Sequence, residues 1–243
     1  MGLFYGAPGR LAAFLLVTLS LFWMRTPLES WVGTALIRAR TAGEFQLVRK
    51  TVLLLALASA AGLLWLFWGW QNLALIWIGC AAGIAFLLQS LVKRIWRGSR
   101  TAPQIIGAAG LTSTAAAAYY VVTGRLDTIA WSLWAANLLF AINQIQFVQL
   151  RIHAARASDR AHKVALGRGF LASQILLATV LFAACAAGIF RWSSAIAFLP
   201  VLVRGFAWFA VSPKPLAIHA LGKSELFHAC LFGVLLVVSI RFP

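Results

Sequence analysis

The chain has 243 residues, of which 62% are hydrophobic and only 11% charged, and its formal net charge is +16. A soluble domain carries about 25% charged residues, so this composition excludes an ordinary water-soluble fold. Long apolar runs between short basic segments indicate helices that cross a lipid bilayer, each of which needs about 20 residues.

The hydrophobic pattern predicts one all-α domain over residues 1–243, a polytopic transmembrane bundle of about eight spans. Pro27, Gly69, Pro103 and Gly124 mark joints between the apolar runs. The predicted helices lie at about 8–26, 51–70, 72–92, 104–122, 128–150, 169–190, 193–212 and 224–240.

Positive charge alternates along this predicted bundle. Sixteen of the 21 lysines and arginines lie in segments 25–50, 93–103, 151–168 and 212–223, and poorly charged joints lie between these segments. The positive-inside rule places the basic segments in the cytoplasm and both termini outside. This explains the charge without nucleic acid. It predicts a bacterial inner-membrane protein with anionic lipids at its cytoplasmic face.

Two basic segments are longer than turns. In segment 25–50, Leu28, Trp31 and Leu36 precede Arg38 and Arg40, which predicts a short amphipathic helix on the cytoplasmic surface. Segment 151–168 carries cations on most turns and predicts a helical extension into the cytoplasm.

The fourth predicted helix is built from small residues. Gly110, Thr114 and Ala118 recur every four residues, a spacing that lets two membrane helices approach closely. The pattern indicates tight helix packing, and the alternative is a ligand crevice against this face.

Four stretches occur in a characteristic order: FWMRTPLESW, AAAAYYVVTGRLD, QFVQLRIHAAR, and FLPVLVRGFAWF followed by KPLAIHALGKSELFHACLFG. Together they resemble the YwiC-like family of bacterial multi-pass membrane proteins, over most of residues 15–243. The resemblance implies, more remotely, the scaffold of UbiA-type prenyltransferases. Family members usually begin with a stretch like PREHGAW and one further helix, and nothing like it precedes Arg10 here.

UbiA-type enzymes hold magnesium diphosphate with aspartate-rich motifs on two cytoplasmic loops. The corresponding segments here offer only Glu29, Glu44 and Asp159. Magnesium needs several hard oxygen ligands, so the resemblance implies the scaffold without its metal chemistry. We therefore expect no metal and no cofactor, and the sequence leaves open whether the protein is an enzyme.

The fifth predicted helix carries a polar stripe. Asn137, Gln144 and Arg151 recur every seven residues, and Asn143 lies beside them. Amides that face lipid are costly, so this stripe should face the bundle interior. Two interpretations stay open, namely hydrogen bonding between helices or the polar wall of a cavity open to the cytoplasm.

Arg204 lies inside an apolar run, four residues after Pro200. Pro200 cannot donate a hydrogen bond to the carbonyl of Ile196, which predicts that the helix kinks or opens there. A guanidinium cannot be neutralised by losing its proton, so it needs a partner inside the bundle. Structural pairing, an anion or ligand site, and snorkelling all remain open. Since no acidic residue falls within a predicted span core, Arg204 and Arg151 predict an anionic guest. Glu225 is assigned to the start of the last helix, where it would stabilise the helix N-terminus.

These patterns favour a bundle that binds an amphiphile with an isoprenoid or quinone-like tail or an anionic head. The candidate ligand-binding residues are Arg204, Asn137, Gln144, Arg151 and Asn143. The alternatives are a non-enzymatic accessory subunit of a membrane complex and a small transporter.

Overall fold

A computed structural model describes residues 8–32, 41–68, 73–96, 101–157, 159–211 and 216–241, and every regular element within them is helical. The helices are α1 (Pro8–Val32), α2 (Ala42–Trp68), α3 (Leu73–Ile95), α4 (Thr101–Thr123), α5 (Thr128–His153), α6 (Arg160–Ala186), α7 (Trp192–Ile196), α8 (Leu199–Ala210) and α9 (Ile218–Arg241). A 3₁₀ turn, Ala154–Arg156, follows α5.

The predicted all-α bundle is confirmed, and a helix lies at each of the eight predicted positions. Among the described residues, seven stretches are long and apolar enough to cross a membrane. α5 is as long as these, at 26 residues, but its asparagines and glutamines lower its hydropathy. It packs between α4 and α6 and completes an arrangement of eight helices, in which α7 and α8 count as one.

The predicted surface helix in segment 25–50 is wrong for the residues that the structure describes. Leu28 and Trp31 continue α1, while Leu36, Arg38 and Arg40 lie outside the described residues. α1 spans 25 residues, or about 37 Å at 1.5 Å per residue. A helix of that length exceeds the hydrocarbon core, which is about 30 Å thick, so its last turns reach the polar headgroups.

The seventh predicted helix is broken into α7 and α8. At the break, the amide of Ala197 bonds to the carbonyl of Ser194 (3.2 Å), and Phe198 bonds to Ala195 (3.0 Å). Pro200 follows and has no amide hydrogen to continue the α-helical ladder. The break is the one that the position of Pro200 predicts, and its residues Ala197 and Phe198 are fully buried.

The apolar core has separate clusters in the two halves of the chain. Helices α1–α4 form the N-terminal half, where Phe14, Val17, Leu66 and Val121 pack together. Helices α5–α9 form the C-terminal half, with a larger cluster around the stacked rings of Phe140 and Phe232, whose centroids are 4.1 Å apart. α5 joins the halves through its packing on α4.

Candidate functional site

A long apolar cavity lies among the helices of the N-terminal half. Its volume is about 500 Å³. On α3 its lining extends from Leu75 to Gln89, and on α1 from Phe14 to Leu28. Each of these stretches contains 15 residues, and its two ends lie about 21 Å apart along the helix. The cavity therefore runs along the helices through much of the apolar thickness of a membrane.

Small residues on α3 and α4 create this space. A Cβ added at Gly79 or Gly83 would meet nothing within 4 Å, and both glycines line the cavity. A Cβ added at Gly110 would lie 3.0 Å from that of Ala85, so here the two helices approach closely. The small-residue face of α4 thus packs on α3 at Gly110, as predicted, and borders the cavity at Thr114.

A charged group lies at the end of the cavity that is next to the predicted cytoplasmic segments. Glu29 Oε1 accepts from Lys93 Nζ at 3.0 Å and from Arg25 Nε at 3.2 Å. Arg25 also lines the cavity. With two cations on one carboxylate, this end carries one excess positive charge beside an apolar space.

The C-terminal half holds a largely buried ion pair instead, whose two side chains are 12% and 17% exposed. Arg204 Nη1 lies 2.7 Å from Glu225 Oε1, Nη2 donates to Gln144 Oε1, and the guanidinium carbon lies 4.0 Å from the centre of the Phe147 ring. The expectation that Arg204 has no internal carboxylate partner is wrong. α9 begins at Ile218, about two turns before Glu225, so this glutamate lies within the helix and not at its N-terminus.

The remaining predicted site residues lie on α5 with different surroundings. Asn143 is only 2% exposed. Asn137 donates from Nδ2 to the carbonyl of Leu133 one turn earlier, at 2.8 Å. Arg151 is half-buried in the last turn of the helix. Of the three stripe residues, Gln144 is the one with a described hydrogen bond to another helix.

Two interior polar residues were missed by the sequence analysis. Gln174 on α6 is completely buried, and its amide lies against Gly205 of α8. Lys163 was counted among the cations of the basic segments, but its side chain is only 3% exposed. It donates to the carbonyls of Trp208 and Val211 and lies over the Trp208 ring. For Gln174 the available signal was Gly205 on the facing helix, since a glycine there leaves room for its long side chain. We call Asn143, Gln144, Gln174, Arg204 and Glu225 the polar cluster.

The acidic, histidine and cysteine side chains outside the polar cluster do not form a metal site in the described parts of the chain. Asp159 accepts from the amide of His162 at 2.7 Å and so caps the start of α6. Within the described parts of the chain, no group of three or more histidine, cysteine or acidic side chains is placed to hold a metal ion. Of the three cysteines, Cys185 is buried, whereas Cys80 and Cys230 are exposed on the bundle surface.

The helices and their apolar surfaces define a multi-pass membrane protein that contacts the lipid bilayer. Compared with known proteins, the chain matches no family model, no curated protein and no solved structure. What the protein binds must therefore be argued from its own geometry, and the resemblance to the YwiC-like family stays a prediction.

Proposed function

We propose that this protein binds an amphiphile in the cavity among α1–α4, with a long apolar tail of isoprenoid or quinone type and an anionic head. The observation that carries the proposal is the cavity itself. It is long and lined almost entirely by apolar side chains, and a cationic group lies at one end.

The tail is matched by the shape and lining of the cavity. Ligand sites have volumes of about 300–1,000 Å³ and are mostly apolar, with few polar groups that fix orientation. This cavity holds about 500 Å³, and its polar lining groups are few: Thr18, Arg25, Gln89, Ser113 and Thr114. A flexible chain about 21 Å long could lie in it parallel to the helices.

The anionic head of the proposed ligand is matched by the positive charge at one end of the cavity. Arg25 and Lys93 share one oxygen of Glu29, and both cations are about one-third exposed. An anionic group there gains a cation that the single carboxylate does not neutralise. The 16 cations of the basic segments add a long-range attraction for anionic lipids on the same side.

The sequence-predicted site around Arg204, Asn137, Asn143, Gln144 and Arg151 is a weaker place for the head. Arg204 is already paired with Glu225. An anionic guest would have to displace this carboxylate and leave it buried without a cation, which is strongly unfavourable. The cavity in the N-terminal half requires no such exchange.

The resemblance to the YwiC-like family supports the same ligand class, since its remote UbiA-type relatives handle isoprenoid chains. The carboxylates of that scaffold's metal motifs are missing, so the proposal is binding without a stated reaction. An accessory-subunit role and transport remain the alternative functions, and stable co-purification of a second chain would favour the first of these.

A matched pair of leucine variants tests the proposal. Gly83→Leu fills the cavity, because a side chain there enters open space next to the lining. Gly233→Leu adds the same volume to open space on α9, away from the cavity. Both proteins should fold, and we would measure co-purified lipids by mass spectrometry after mild detergent extraction.

We expect wild type and Gly233→Leu to retain an enriched anionic lipid with an isoprenoid-type tail, and Gly83→Leu to lose most of it. An Arg25→Gln/Lys93→Gln double variant should shift the retained lipids from anionic to neutral classes. If all four proteins carry phospholipids in the proportions of the membrane, the proposal is wrong.

A further inference from the structure

Unpartnered polar atoms are concentrated at one place in the C-terminal half. Within the residues that the structure describes, seven buried side-chain nitrogen and oxygen atoms have no hydrogen-bond partner. All seven belong to the polar cluster, which draws on α5, α6, α8 and α9.

The cluster is contiguous around the ion pair. Arg204 contacts Glu225 and Gln144 directly. Gln174 lies against Gly205, the residue after Arg204, because a Cβ on this glycine would be 2.8 Å from Gln174 Cδ. Asn143 precedes Gln144 on α5 and is 2% exposed, whereas Gln144 is half-buried. The unpartnered atoms therefore lie on four neighbouring helices that pack around the ion pair.

Leaving these seven atoms without any hydrogen-bond partner would cost too much free energy. A buried polar atom without a partner loses its hydrogen bonds to water and gains none in return. Native proteins leave few such atoms, and seven in one region demand a shared partner. The ion pair adds to the cost, because one oxygen of Glu225 and Nε of Arg204 are among the unpartnered atoms.

The chemistry of the seven atoms selects the partner. Nitrogens of Asn143, Gln144, Gln174 and Arg204 donate, whereas oxygens of Asn143, Gln174 and Glu225 accept. An anion would bond only to the donors, and a metal cation only to the acceptors. Water does both, and it is small enough for the spaces between packed side chains.

We propose that the polar cluster is an internal water-binding site that hydrates the Arg204–Glu225 ion pair. A buried water makes about three hydrogen bonds, so about two or three molecules would satisfy the seven atoms. The site lies near the predicted cytoplasmic end of the bundle. Glu225 is seven residues from the start of α9, or about 10 Å along the helix. It is separate from the cavity among α1–α4 and does not depend on the lipid proposal.

The direct experiment is a structure of the full chain in lipid nanodiscs, at a resolution that shows ordered water on the cytoplasmic segments. We expect water density within hydrogen-bond distance of Gln174, Gln144 and Glu225. If the cluster holds no water in a map that shows it elsewhere, or if the amides turn and satisfy one another, the proposal is overturned.

The change in Tm caused by one substitution differs in sign between a hydrated and an unhydrated polar cluster. Gln174→Met keeps the length of the side chain and removes two polar atoms. In a hydrated site the change removes hydrogen bonds, and Tm should fall by about 2–4 °C, the shift for one ordinary hydrogen bond in a chain of this size. In a dry site it removes two unsatisfied atoms, so an equal or higher Tm would overturn the proposal.

Ser59→Ala is the control for this measurement. Ser59 is also buried, but its hydroxyl bonds to the Leu55 carbonyl of its own helix at 2.8 Å. Such a back-bond contributes little to helix stability. The control should therefore shift Tm less than Gln174→Met does.

Discussion

The N-terminal and C-terminal halves of the bundle use polar side chains in opposite ways. In the N-terminal half, charges stay at the helix ends, as at Glu29, and the interior between the helices is an apolar cavity. In the C-terminal half, an ion pair and three amides from four helices lie inside the core. The comparison separates two roles that sequence analysis had assigned to one site, because the space for an apolar ligand and the buried charge lie in different halves.

The largest expected effect comes from unpairing the buried charge. Glu225→Ala leaves Arg204 uncompensated, and removal of one partner of a buried pair costs about 3–5 kcal/mol. Replacing both residues by methionine should recover most of this loss, because neither charge is then buried. Thermal unfolding in one detergent compares the two variants, and an equal loss in both would show that charge pairing is not the cause.

A smaller loss should follow when helix contact is broken in the N-terminal half. A Cβ at Gly62 on α2 would lie 2.7 Å from Val17 Cγ2 and 3.1 Å from the Ala13 carbonyl oxygen of α1. Gly62→Ala should therefore cost about 1–3 kcal/mol through overpacking.

Gly79→Ala is the matched control for Gly62→Ala, since its Cβ meets nothing within 4 Å in the cavity. It should change the free energy of unfolding by no more than about 0.5 kcal/mol. A loss as large as that of Gly62→Ala would mean that the cavity is filled by protein.

Removing the helix cap at the joint between the halves should lower the free energy of unfolding by about 1 kcal/mol. Asp127 caps α5 by accepting from the amides of Ile129 (3.0 Å) and Ala130 (3.2 Å), and it also accepts from the Tyr119 hydroxyl of α4 (3.0 Å). Asp127→Ala removes the cap, while Asp127→Asn retains it. Equal unfolding temperatures for the two variants would contradict this role.

Orientation can be tested with almost no change in stability. Cysteines at Ala42 and Ala157, in a background without Cys80, Cys185 and Cys230, should react with an impermeant thiol reagent only after the cells are permeabilised. The reason is the positive-inside rule applied to the basic segments. Labelling of either cysteine in intact cells would reverse the predicted orientation of both halves.

Periodicity and charge predicted the helices well because a membrane span has a nearly fixed length and a uniform composition. Proline chemistry likewise predicted the interruption at Pro200. The stripe on α5 was correctly expected to face inward at Gln144, because an amide facing lipid is costly.

The partner of Arg204 was missed through an error of a few residues in one boundary. The last helix was predicted to start at residue 224, but it starts at Ile218, and this moves Glu225 from the helix end into the bundle. The boundary is hard to predict since Ile218–Lys223 mixes apolar, small and basic residues. The burial of Lys163 could not be predicted either, because its spacing shows a basic segment and not the carbonyls that it meets at the end of α8.

The sequence by itself determined the class of protein, the positions of the helices and the predicted side of each basic segment, because these depend on local length, composition and charge. Only the tertiary structure decided that Arg204 pairs with Glu225 and that Gly79 and Gly83 open onto a cavity. Both depend on how each helix is rotated and where it packs, which residues far apart in the chain determine together.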